Sequence, residues 1–457
     1  MKYLLVVLIG GFLFLGSMTR GQAQSQPSAS SDVTQENLGT LPLPILAPSF
    51  SSDGGHIAYI SSNNNGRAMV VVDGVAGATF DEIAQDSLAV SNDGLHVAYA
   101  ARNGQHWCVI LDGQQGADYD GIGSGSITFS PDGKQMAYAG NHGDQWTVSL
   151  NGRTNAEYDG AAALAFSPDS KRLAFIARKQ RKSFLVLDNT PGPVWDACDV
   201  PIFSADSLHI AYAAQSGQKW IIVSDNQPQP GVYDAVGSPT YSNDGKRMAY
   251  TVQNAGKWRT IIDGQPGPEY DAVQDVVFSA DGNRLAYSAQ VGQKWTAVVD
   301  GLVQDEYDNI GQGSLAFSPD GTKVVYVAMR GGKQTLVVNG QPIGDHDAIG
   351  EGSVVFSPDG RHYACAARDG QKWTALLDGK AGDPHDAITG LAFSIDNRRL
   401  AYAAQDGQNW VVVIDGQPGP EFDAIGRNGP IFQADGSLSY LAIKGGVLYR
   451  VKQAAPK

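Results

Sequence analysis

The stretch "FSPDGKQMAYAG" at residues 129–140 returns as "FSPDGTKVVYVA" at 317–328 and as "FSPDGRHYACAA" at 356–367. Its Asp recurs in a short turn motif eleven times, at Asp53, Asp93, Asp132, Asp169, Asp206, Asp244, Asp281, Asp320, Asp359, Asp396 and Asp435, with spacings of 37 to 40 residues. Self-similarity at such a period marks an array of like units rather than one irregular core. No stretch sustains an apolar period of 3.6, so the units are built of strands.

Each unit divides into four segments. The first ends in Phe, as in "SLAF" (314–317), and Ser-Pro-Asp-Gly then turns the chain, Pro presetting φ and Gly accepting a positive one. The second resembles "RLAYAA" (399–404), the third "KWTAVVD" (294–300), and an Asp-Gly reversal leads to the fourth, "EYDAV" (269–273). In "RLAYAA", Leu400 and Tyr402 share one face while Ala401 and Ala403 share the other. Both faces are apolar, one large and one small, as expected where sheets stack face to face. Four antiparallel strands every ~40 residues predict an all-β fold, a β-propeller of four-stranded blades.

These "FSPDG"-type units followed by a Trp-led strand resemble the TolB-like or WD40-like (PD40) propeller repeat over roughly residues 46–453. The resemblance implies the fold and leaves the activity open, because such propellers serve as binding proteins, as companions of peptidases and as lyases. The chain departs from TolB in having only a short leader before its first unit. It departs from propeller peptidases in lacking a Gly-x-Ser-x-Gly pentapeptide.

Ten units are complete, and an eleventh (432–453) stops after its third strand. The stretch "NLGTLPL" (37–43) is placed to supply the missing strand. Eleven blades exceed the usual four to eight, so one large ring and two smaller rings, of five and six blades, both stay open.

Ahead of the repeats, Lys2, the apolar run Leu4–Leu15 and the segment ending at Ala23 read as a secretory signal peptide over 1–23. Residues 24–45 then form a polar leader that includes the possible ring-closing strand. The expected location is the periplasm or the exterior, with no membrane span once the signal is removed. Formal charge is −14 for the whole chain and −16 without Lys2 and Arg20, a balance that disfavours nucleic acid and anionic membrane surfaces. Three scattered cysteines make no disulfide framework.

The fourth segment carries an aromatic–Asp pair in all ten complete units, with the acids Asp81, Asp120, Asp159, Asp196, Asp234, Asp271, Asp308, Asp347, Asp386 and Asp423. Ten equivalent carboxylates indicate ten equivalent structural roles, each accepting backbone N–H groups at a turn toward the next blade. Seven units open the third strand with Trp, a large apolar filler where strands pack. A basic residue opens the second strand (Arg172, Arg247, Arg284, Lys323 and Arg399, or His56, His96, His209 and His362) and reads as a paired surface group.

A ligand is therefore sought where units differ. Unit four replaces a polar loop with "ARKQRKSF" (177–184), clustering Arg178, Lys179, Arg181 and Lys182 on an acidic protein, a contact for an acidic partner or an anionic glycan. Units eight and nine carry His346 and His385 in the aromatic position, where a metal pair is conceivable but each has only its own Asp beside it; no metal or cofactor is assigned. No Walker loop, HExxH, CxxC or EF-hand spacing occurs. The leading expectation is an exported, non-catalytic binding module or scaffold for a protein or carbohydrate ligand, its working face the end that carries the loops between the second and third strands. The alternative is a polysaccharide lyase or glycosidase with its site in the central channel, which the small and apolar first strands, such as "ALAF" (163–166) and "DVVF" (275–278), do not favour.

Overall fold

The computed structural model describes residues 33–40, 46–51, 54–63, 65–426 and 428–454. The signal segment and Asp53 of the first turn motif lie outside them. Within the described residues every regular element is a strand, and none is a helix long and apolar enough to cross a membrane.

The strands form eleven separate antiparallel sheets, one per unit. Blade 7 shows the plan: strand A, Ala272–Phe278, pairs with B, Leu285–Val291, which pairs with C, Lys294–Val299, which pairs with D, Leu302–Tyr307. In seven blades strand A is broken into two short segments on the same B strand, as at Gly121–Ile122 and Thr128–Phe129 of blade 3. Strand A lies next to its counterpart in the following blade. Gly390 and Gly429 approach so closely that a Cβ on the first would sit 2.5 Å from Cα of the second. Strand D, with most of its residues exposed, forms the rim.

The alternation of large and small side chains explains the stacking. Leu400, Tyr402 and Ala404 of blade 10 pack on Ala364, Ala366 and Ala375 of blade 9, while Ala401 on the opposite face packs toward Leu438 and Tyr440 of blade 11. The aromatic of each D strand also reaches the next blade. Phe80–Tyr99, Tyr119–Tyr138, Tyr307–Tyr326 and Phe422–Tyr440 are edge-to-face pairs with centroids 5.8 to 6.1 Å apart. Such pairs add about 0.5–1.5 kcal/mol each beyond their buried area.

Eleven core clusters join the blades in succession, and the last joins blade 11 to blade 1 through Leu38, Ile57, Tyr59, Val71, Leu441 and Leu448. The array is one closed ring of eleven blades. Its closing strand is Val33–Thr40, paired antiparallel with Val447–Gln453 from Val33↔Gln453 to Thr40↔Val447. It begins earlier than "NLGTLPL" and takes in Val33–Asn37, which composition placed in the polar leader. Only Leu38 of this strand is buried, so hydrogen bonding to the open edge of blade 11 orders it, and that leaves no apolar pattern in the sequence.

Candidate functional site

In each blade the B–C turn and the D–A connection lie at one end of the ring, and the A–B and C–D turns lie at the other. At the B–C end the ten D-strand aspartates occupy one repeated geometry. One carboxylate oxygen accepts the N–H of the first B–C turn residue of the next blade at 2.6 to 2.9 Å, as Asp81 does from Gly104, Asp271 from Gly292 and Asp423 from Gly445. In seven blades the other oxygen takes a cation from the start of strand C of its own blade, at 2.5 to 2.7 Å: Arg67 on Asp81, then Lys182, Lys219, Lys257, Lys294, Lys333 and Lys372 on Asp196, Asp234, Asp271, Asp308, Asp347 and Asp386. The lysine bond, followed by the backbone N–H, holds the carboxyls of these last six below the ordinary range.

The opposite end carries a second set of links. Except in blade 8, where Lys323 has Asn339 at the C–D turn, the basic residue opening strand B pairs with the C–D turn Asp of its own blade, as in Arg247–Asp263 at 2.9 Å and His209–Asp225 at 2.7 Å. Three of these residues also reach across to the following blade: Arg247 donates to the Gly282 carbonyl, Arg284 to Gly321 and Lys323 to Gly360, at 2.8 to 3.0 Å. The Trp side chains opening strand C are partly buried and face the D-strand aromatic, as Trp295 faces Tyr307 and Trp373 faces His385.

His346 and His385 are not brought together around a common point. Nδ1 of His346 binds Asp369 and Nδ1 of His385 binds Asp406, each at 2.8 Å, each across to the next blade. The equivalent position faces Arg330 in blade 8, stacked over Tyr307, and Lys444 in blade 11, stacked over Phe422. Among the described residues no group of three or more His, Cys, Asp or Glu side chains is arranged to hold a metal ion.

The basic loop of blade 4 is different. Strand B, Leu173–Lys179, and strand C, Lys182–Leu187, are joined by Gln180 and Arg181, with Lys179 opposite Lys182. Both turn residues have left-handed backbones, φ +52° and +63°. Each of the other ten B–C turns contains a glycine, as at Gly104, Gly217 and Gly256. A non-glycine residue in this region costs roughly 1–2 kcal/mol. Lys182 is committed to Asp196 at 2.6 Å. Arg178, Lys179 and Arg181 are exposed and make no ion pair with any described carboxylate. Three uncompensated cations thus project from a strained hairpin on a protein of net charge −14.

One inner-strand group escaped the reading of "DVVF" as apolar. Asp275 sits at the bulge of blade 7 with φ +57°, where the other continuous A strands, of blades 1, 4 and 10, place Ala47, Ala163 and Gly390. It accepts the Gly313 N–H of blade 8 at 3.0 Å, and burial raises its carboxyl above the ordinary range. The signal that would have found it is an Asp where the other unbroken A strands carry Ala or Gly.

No protein-family model matches the chain, and no curated protein matches it either. Among solved structures, a crystal structure of a eukaryotic initiation factor is 16% identical, with TM-score 0.39, covering 71% of this chain and 96% of that one. Hydrazine synthase of Kuenenia stuttgartiensis is 14% identical, with TM-score 0.26 and coverages of 64% and 95%. The β-propeller domain of the Trilobed protease from Pyrococcus furiosus is 13% identical, with TM-score 0.30 and coverages of 65% and 93%. With TM-scores of 0.39 and below, these likenesses carry no argument about this chain.

Proposed function

We propose that this chain is an exported, non-catalytic β-propeller scaffold that binds a polyanionic ligand at the B–C hairpin of blade 4. The observation that carries the proposal is the glycine-free turn Gln180–Arg181. Backbone strain of this kind persists where the residue held there has a use, and here the strain presents long cationic side chains that no described carboxylate neutralises. The rest of the ring offers a repeated inter-blade link at the B–C end and scattered ones at the other, which suits a rigid platform. The resemblance of the units to PD40-type repeats and the signal-like residues 1–23 support export.

The recognised chemistry is a row of carboxylates, supplied by an acidic glycan or an acidic polypeptide. Gel retardation of the full chain with polygalacturonate and with polyglutamate separates the two sources. Retardation by either probe is expected, and it should weaken at least tenfold in R178E/K179E/R181E, which leaves the Lys182–Asp196 pair intact. Equal binding by the variant, or no binding of the native chain to either probe, refutes the proposal. Robust turnover of a polysaccharide or a peptide by the native chain would favour the channel enzyme instead.

A further inference from the structure

The rim strands differ in how they protect their outer edge. The N–H of the third residue after the C–D turn donates inward to strand C, as Gly192, Gln229 and Gly267 do to Leu185, Ile222 and Thr260 at 2.7 to 2.8 Å. By alternation the N–H of the second residue faces outward, and at the fourth a bulge opposite strand C interrupts the alternation. Blades 4, 5, 6 and 10 place proline at both positions, for example Pro266 and Pro268, or Pro418 and Pro420, so these edges present no outward donor there. Blade 7 carries Val303 and Asp305 instead and keeps the outward N–H of Val303. Its Leu302 and Val303 are 69% and 60% exposed, two adjacent branched apolar side chains on an open edge. Blade 1 also exposes an apolar residue, Val75, but follows it with small residues and Gly77.

Two further features fit an added strand at blade 7. A cavity of about 240 Å³ lies beside the edge, between blades 7 and 8, walled by Val299, Leu302, Val324 and Tyr326 and, on its polar side, by the Arg284–Asp300 pair. The end of the strand carries Asp305 and Glu306, both exposed and neither in an ion pair with a described residue. We infer that the rim strand Leu302–Tyr307 is a β-augmentation site for an extended peptide that alternates branched apolar and basic residues. Main-chain bonds to Val303 hold the peptide, an apolar side chain enters the cavity, and basic side chains meet the two carboxylates. This surface is independent of the blade 4 hairpin.

The test uses the full chain and two synthetic octapeptides, KVKVTVKG and EVEVTVEG, followed by fluorescence anisotropy and amide hydrogen exchange. Saturable binding of the lysine peptide is expected, with slowed exchange at 302–306 and binding of the glutamate peptide at least tenfold weaker. V303P/D305P copies the proline pattern of blades 6 and 10, so the fold has precedent for it, and binding should weaken at least tenfold. L302Q/V303Q copies blade 2, keeps the outward N–H, removes the apolar pair and should also weaken binding about tenfold. Lysine-peptide binding unchanged in both variants would reduce the effect to charge attraction and overturn the inference. So would protection on another rim strand, or no binding at all.

Discussion

Replacing Arg181 with Gly should tighten the blade 4 hairpin while removing one of its free cations. Arg181 has φ +63°, where a non-glycine residue costs roughly 1–2 kcal/mol. Glycine relieves that cost but gives back about 0.5–1 kcal/mol through its greater freedom in the unfolded chain. The net gain is about 0.5–1 kcal/mol, which is roughly a two- to fivefold change in a local opening equilibrium. Hydrogen exchange on fragments spanning 173–187, read by mass spectrometry at constant pH, should therefore slow about two- to fivefold. Gln180→Gly should act in the same direction. It leaves the 2.6 Å bond from the residue 180 N–H to Asp159 in place, because glycine makes the equivalent bond at Gly143 and Gly217. Arg181→Ala keeps the backbone cost and should leave exchange nearly unchanged. If Arg181→Gly left exchange unchanged or faster, the turn would not be strained, and the argument that strain marks a use for the residue would fall.

Leu185→Ala, at a side chain 1% exposed between blades 4 and 5, should destabilise the chain by about 2–5 kcal/mol in urea unfolding; a loss below 1 kcal/mol would contradict tight packing there. Acid should unlock the ring. Lowered carboxyls at Asp196, Asp234, Asp271, Asp308, Asp347 and Asp386, and turn carboxyls held at about 2 by serine and backbone N–H bonds at Asp169, Asp244, Asp320 and Asp435, contribute stability that is complete above the ordinary carboxylate value near 4. That contribution is lost as pH falls through the lower folded values, so melting temperature should drop between pH 4 and 2, and a level profile there would refute it. Deleting residues 33–40 removes the strand paired with Val447–Gln453 and exposes Leu448. Limited proteolysis should then cut within 447–453, and resistance equal to the full chain would mean that the ring closes without this strand.

The sequence shows most plainly those features that each unit repeats for itself. Tyr402 and Ala403 announce the two faces of strand B, and Asp-Gly or Asn-Gly announces most of the C–D reversals, because local residue types decide them. Features that depend on a partner in another blade are less legible. Arg247 has the look of a surface cation paired with an Asp, as it is, but its reach to the Gly282 carbonyl leaves no trace, since any residue supplies a carbonyl. The closing strand Val33–Thr40 is polar and held by main-chain bonds, so periodicity passes over it. Whether eleven units make one ring or two depends on the angle between blades, which is summed over the whole circle and written in no single unit.

Departures from the repeat are of two kinds, and compensation separates them. His346 and His385 replace an aromatic side chain, and across the blade boundary each meets an acid, Asp369 and Asp406. Where the position keeps Tyr307 or Phe422, the facing residue is a cation, Arg330 or Lys444. Substitution and partner change together, so the protein itself accounts for these histidines and no ligand is needed to explain them. Asp275, at a bulge where other blades hold Ala or Gly, is likewise answered by the Gly313 N–H of the next blade. The hairpin of blade 4 has no such answer. Its turn takes on backbone strain that glycine would relieve, and among Arg178, Lys179 and Arg181 no cation meets a described carboxylate. A departure that the described fold does not balance internally is where our proposal places a ligand, at this hairpin rather than at the histidines.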